Sequence, residues 1–150
     1  MKRLLRYEPI QRLMIAILDT NILISALLGP PSLPAKIVDF WADRRFQLVT
    51  SEDQITELRR VSKYPKISQQ LSAPVAGRLV NEMRKSASFA RSLPKIDLCR
   101  DPMDNFLLAM AQVSGADYLV SGDKLDLLVL GRFQATRIVS VRQFADLLGI

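Results

Sequence analysis

The chain contains no histidine and only one cysteine, Cys99. Without histidine there is no Ser-His-Asp triad, no HExxH zinc site and no histidine-pair nuclease. One thiol makes neither an internal disulfide nor a cysteine-rich zinc site, which suits a reducing cytoplasm. Any metal used in chemistry must then be held by oxygen ligands, and that favours Mg²⁺ or Mn²⁺ over zinc. Long apolar runs are missing too. The longest aliphatic stretch, "IAILDTNILISALL" at residues 15–28, is broken by Asp19 and is too short to cross a bilayer. There is no internal repeat, low-complexity tract or long linker.

What is present is a domain-sized chain of 150 residues, 49% hydrophobic, which is enough to bury a core. The formal net charge is +6. Lys2, Arg3, Arg6 and Arg12 against Glu8 supply half of it, so residues 14–150 are only mildly basic. That balance fits a polyanionic partner such as RNA, but ordinary solubility charge explains it better. The opening "MKRLLRYEPIQRL" has no small-residue cleavage site and reads as neither a signal peptide nor an anchor. Residues 1–13 read as an arm or upstream extension and 14–150 as the domain, with Met14 a sensible start.

Short β-rich runs alternate with helical patterns. Strands are predicted at "MIAIL" (14–18), "FQLVT" (46–50), "KIDLC" (95–99), "DYLVS" (117–121) and "TRIVS" (136–140). Helices are predicted at "NILISALL", "PAKIVDFWADR", "DQITELRRVSKY", "PKISQQLS", "PVAGRLVNEMRKSASFA", "MDNFLLAMAQVSG" and "DKLDLLVLGRF", with a final helix after Ser140. Ser51 with Gln54 reads as a capping box, as does Ser140 with Gln143. Asp101 and Pro102 form an N-cap and N1 pair. The alternation predicts one α/β domain with a parallel sheet of about five strands, covered on both faces.

Four acids stand out against this pattern. Asp19 closes the first strand and Asp123 the fourth, and ligands of open α/β sheets bind beyond the carboxyl ends of strands. Asp104 lies in the first turn of its helix, where the dipole favours a carboxylate. Glu57 is the one acid in the middle of its helix's apolar side. Each has a plainer reading. Asp101 and Asp104 could be capping residues, Asp123 could cap the following helix, and Glu57 could be a surface partner of Arg60. Asp19 is the hardest to explain away, because an apolar strand leads straight into it. Carboxylates that converge repel one another unless a cation neutralises them, so a divalent metal is the economical explanation.

The blocks "ILDTNILISALL", "SEDQITELRRV", "DPMDNFLLAMA" and "GADYLVSGDKLDLL" occur in the order found in PIN domains, and the chain most resembles the VapC-like ribonuclease toxins of bacterial toxin–antitoxin pairs. The resemblance implies a three-layer α/β/α domain whose acids bind Mg²⁺ or Mn²⁺ for phosphodiester hydrolysis of RNA. Carried over by motif, the catalytic acids are Asp19, Glu57, Asp104 and Asp123, with Asp19, Asp104 and Asp123 holding metal and Glu57 orienting water. Asn21 matches the polar residue that holds the first acid, Asp101 an acid heading the third block, and Ser121 the hydroxyl residue two before the fourth acid. Asn105 stands where some relatives carry a further Asp.

In this reading the substrate is single-stranded RNA, contacted by Arg59, Arg60, Lys63, Lys66 and Lys124, each of which could equally be part of a solvated face. A cognate antitoxin and a homodimer are implied as well. Two other readings compete. A haloacid-dehalogenase-like phosphohydrolase would need a second Asp where Asn21 stands. An inactive PIN scaffold for protein or RNA binding would not need all four acids.

Overall fold

The computed structural model describes residues 12–29, 31–122 and 126–150. Six strands form one sheet: β1 (Ile15–Leu18), β2 (Gln47–Thr50), β3 (Ser88–Phe89), β4 (Tyr118–Val120), β5 (Arg132–Phe133) and β6 (Thr136–Val139). Their order is β3-β2-β1-β4-β6-β5, all parallel except the β5–β6 pair. The helices are α1 (Thr20–Leu28), α2 (Leu33–Ala42), α3 (Glu52–Ser62), α4 (Pro65–Ser68), α5 (Ala73–Ser86), α6 (Pro102–Ser114), α7 (Leu127–Leu130) and α8 (Val141–Leu148).

The strands are apolar on both sides because helices cover both faces. Period-two alternation divides the side chains between two cores. Ala16, Leu18 and Leu48 face one core with Ile22, Ile37, Trp41, Leu58 and Phe144 from α1, α2, α3 and α8. Ile17, Val49, Leu119 and Ile138 face the other, packed on Leu107, Leu108 and Met110 of α6 and Leu127 of α7. This is the predicted α/β architecture, helices on either side of a mostly parallel sheet.

The sheet differs from the prediction at its edges. Residues 95–99 are not a strand. Their alternation is real, but their amides bond elsewhere: Asn105 Oδ1 accepts from the amides of Leu98 (3.1 Å) and Cys99 (2.8 Å). The third strand is Ser88–Phe89, inside the stretch predicted as the end of the α5 helix, and it pairs with Val49 and Thr50. The helix predicted over 65–72 is a single turn, Pro65–Ser68, and Ser72 then stands at the N-cap of α5. In the segment predicted as helix over 123–133, α7 stops at Gly131, whose φ of +70° is the left-handed region glycine favours. Arg132 and Phe133 then turn back as an antiparallel edge strand on β6.

Residue 12 marks the far edge of the sheet. Arg12 Nη2 donates to Asp117 Oδ1 at 2.9 Å, and Asp117 Oδ2 accepts from the Ile15 amide at 2.8 Å. Both contacts lie where β1 and β4 begin, opposite the edge at which Asp19 emerges.

Candidate functional site

Asp19 leaves the sheet at the carboxyl end of β1. Its own amide still bonds the Val120 carbonyl of β4 at 2.9 Å, so the residue remains anchored to the neighbouring strand. Its side chain caps α1, Oδ1 accepting from the Asn21 amide at 3.2 Å. Oδ2 accepts from the Ser121 hydroxyl at 3.1 Å. Asp19 is only 7% exposed. A buried carboxylate needs such donors, because leaving water unpaired is costly. Asn21 therefore reaches Asp19 through its backbone, and its side chain is exposed.

The floor beneath Asp19 is a buried polar clamp. Gln54 has no solvent exposure. Its Nε2 donates to the Leu18 carbonyl at 2.7 Å and to Thr20 Oγ1 at 3.4 Å, while its Oε1 accepts from Thr50 Oγ1 at 2.6 Å. One side chain thus ties together the ends of β1 and β2 and the start of α1. The capping box predicted at Ser51 forms by half. Ser51 Oγ accepts from the Gln54 amide at 3.1 Å, but the Gln54 side chain is committed to the clamp. Sequence reasoning missed this role. The available signal was a glutamine on the same helical face as Ile55 and Leu58.

Asp104 comes to the same edge by topology. A helix feeding a parallel strand runs antiparallel to it, so the α6 N-terminus lies at the carboxyl edge while its C-terminus, at Gly115, leads into the start of β4. Asp104 is in the first turn and 5% exposed. Asp101 is the exposed N-cap of α6, its Oδ1 accepting from the Met103 amide at 2.9 Å, as a capping residue should. Asn105 is turned away, holding the preceding loop through Leu98, Cys99 and a 2.9 Å bond to the Cys99 carbonyl.

Glu57 lies within α3. Both of its oxygens accept from Arg60 Nη2 at 2.6 Å, and its side chain is 13% exposed. Arg60 also bonds the Tyr64 hydroxyl and lies over that ring, 5.5 Å from its centroid. The bond and charge of Glu57 hold the Arg60 guanidinium above its ordinary pKa, and Asp101 adds to the same pull. The plainer reading of Glu57 as a partner of Arg60 is realised.

Arg59, Lys63 and Lys66 are exposed. Arg59 and Lys63 line a groove of about 540 Å³ between α3 and α5. Asp123 and Lys124 lie outside the described residues. Just after that stretch in the sequence, Asp126 pairs with Arg100 at 3.9 Å. A larger cavity of about 650 Å³ opens at the opposite edge, between α2, α5 and β2, and holds none of the candidate residues.

A model of the PIN domain family matches residues 16–125, most of the chain. The chain is a PIN-domain protein. The uncharacterized protein MJ1680 of Methanocaldococcus jannaschii is 28% identical over 111 residues, which cover 72% of this chain and 70% of that protein. No solved structure gives a significant match. PIN domains are generally nucleases and usually bind divalent metals, so membership supports a phosphodiester hydrolase at a coarse level. The donors present suit a hard cation: buried carboxylate oxygens from Asp19 and Asp104, in a chain without histidine. Among the described residues no three acidic or thiol side chains gather closely enough to hold a metal by themselves. Nor, among them, is any single helix long and apolar enough to span a membrane.

Proposed function

We propose that this PIN-domain protein is a Mg²⁺- or Mn²⁺-dependent endoribonuclease that cleaves single-stranded RNA and serves as the toxin of a toxin–antitoxin pair. The observation that carries the reading is the burial of two carboxylates, Asp19 and Asp104, at the carboxyl edge of the sheet in a chain of this family. Asp19, Asp104 and Asp123 would hold the cation. When bound, the metal would supply Lewis acidity for phosphodiester hydrolysis.

The chain's own groups do the remaining work. Ser121 and the Asn21 amide fix both oxygens of Asp19, so the carboxylate is preorganised and does not have to be ordered when the ligand arrives. Glu57 orients the attacking water, and the Arg60 Nη2 that bonds both its oxygens limits where its carboxylate can point. Exposed Arg59, Lys63 and Lys66 offer cations to the RNA backbone. A cognate antitoxin protein and a homodimer complete the proposal.

The test has two readouts. Wild type should cut unstructured RNA only with Mg²⁺ or Mn²⁺ present, and Asp19→Asn and Asp104→Asn should be inactive. Mn²⁺ should also raise the melting temperature of the wild type and not of Asp19→Asn, because a ligand that binds only the folded state stabilises it. An Asp19→Asn protein that cuts as fast as wild type would sink the assignment.

A further inference from the structure

The run "ELRRVSKYPK" places an aromatic ring amid four cations, and its ring is not used by the core. Tyr64 is 43% exposed. It follows Glu57 by seven residues and lies just past the end of α3 at Ser62, as the N-cap of α4. Arg60 occupies the interval and grips both ends, bonding the Glu57 carboxylate and the Tyr64 hydroxyl. The guanidinium also lies over one face of the ring. The ring is thereby held in a set position relative to the acid, at no cost in the apolar packing of α3.

A half-exposed tyrosine ring can serve packing or a ligand. Here the packing explanation fails, since Leu58 and Ile55 fill the core face of α3 while Tyr64 stands outside it. The cations point to the ligand's charge. Arg59 and Lys63, one turn apart, line the groove toward α5 together with Ser62, and Lys66 follows on α4. An aromatic surface flanked by cations is the arrangement that takes an unpaired nucleic-acid strand, with bases stacking and phosphates neutralised. A duplex keeps its base faces covered and could use only the cations.

We propose that Tyr64, fixed by Arg60 beside Glu57, is a stacking platform for an unpaired base of the RNA strand that enters the acidic cleft. The inference rests on the nuclease reading for its substrate, and it assigns Tyr64 to positioning the strand, with no part in the bond cleavage itself.

The test uses the full-length protein with EDTA present, so that binding is read without cleavage. The probes are a short single-stranded RNA carrying 2-aminopurine and a blunt RNA duplex of the same composition. Tyr64→Ala should weaken single-strand binding by about 5- to 150-fold and abolish quenching of the 2-aminopurine, while Tyr64→Phe keeps both. Duplex binding should be the same in all three proteins. Thermal melts establish that both variants are folded, which the exposure of the ring favours. The inference is overturned if the wild type does not bind the single strand, if Tyr64→Ala binds it with quenching intact, or if Tyr64→Ala weakens duplex binding equally. Cleavage with Mg²⁺ is run in parallel to separate the two readings. A wild type that stacks the base on Tyr64 but never cuts overturns the nuclease reading alone. One that cuts while Tyr64→Ala binds unchanged overturns this inference alone.

Discussion

The Ser121 hydroxyl donates to Asp19 Oδ2 across 3.1 Å, joining residues 102 positions apart in the chain. The bond links the ends of adjacent strands β1 and β4 at the point where each leaves the sheet. It gives a buried carboxylate one of its donors and fixes the rotamer of the first acid. Ser121→Ala should therefore lower RNA cleavage while leaving the fold intact. A hydrogen bond to a charged group is worth about 1.5–3 kcal/mol, so urea unfolding should show a loss of that order. Ser121→Thr, which keeps the hydroxyl, should retain more activity than Ser121→Ala.

Gln54 anchors the strand end that leads into the same acid. Gln54→Leu removes the donor to the Leu18 carbonyl and the acceptor for Thr50. Each buried group left unsatisfied costs about 1–3 kcal/mol. The variant should be clearly less stable than wild type in chemical denaturation. A Gln54→Leu protein with an unchanged midpoint would show that the clamp contributes nothing.

Asn105 holds the loop before α6 with three bonds, and that loop contains Cys99, which is 8% exposed. Asn105→Ala should loosen it. The Leu98 and Cys99 amides should exchange with deuterium faster, and the Cys99 thiol should react with a thiol reagent at an increased rate. Unchanged reactivity would mean that the loop is held by other contacts.

Asp117 gives a pH prediction at the opposite edge. Burial works to raise its pKa, but the bonds from Arg12 and the Ile15 amide outweigh it and hold the carboxyl below its ordinary value. A depressed folded pKa contributes stability above the unfolded value, and that contribution is lost as pH falls through the folded one. Wild type should be more stable than Asp117→Asn at neutral pH. The difference should shrink from about pH 4 downward, the ordinary range of an aspartate. Melting curves of both proteins between pH 2 and 7 on this scale read it directly.

The cations of the α3–α4 region make a salt prediction. For a single strand, each phosphate neutralised contributes about 0.7 to the slope of log K against log salt. Lys63→Ala should reduce that slope by about this amount for a single-stranded RNA. An unchanged slope would remove Lys63 from the RNA path.

Much of the fold could be read from residue order. Short β-branched runs between amphipathic helices dictate a parallel α/β sheet, because strands buried on both faces must be apolar throughout. Ser140 with Gln143 predicts a capping box, and both of its bonds are present. Asp101 with Pro102 predicts the start of α6, and Gly115 closes that helix in the left-handed conformation. Among the acids, Asp19 could be singled out because a polar residue at the end of an apolar strand has few structural uses.

Sheet pairing and long-range side-chain contacts were not legible in the same way. Residues 95–99 alternate like a strand, but the two-residue Ser88–Phe89 pairs with β2 in their place. Local pattern reports which face a residue would show, and it carries no information on which edge is available to bond. Gln54 looked like a capping partner, since its contacts with Leu18 and Thr20 join residues 36 and 34 positions away. Glu57 could be described from sequence either as a partner of Arg60 or as a cleft acid. The fold shows the Arg60 partnership directly, with both Glu57 oxygens accepting from Arg60 Nη2. Local hydrogen bonding and periodicity act over a few residues and are written in the chain. The setting of Asp19 among Ser121, Gln54 and Asp104 depends on strand order and helix direction, which exist only once the chain has folded.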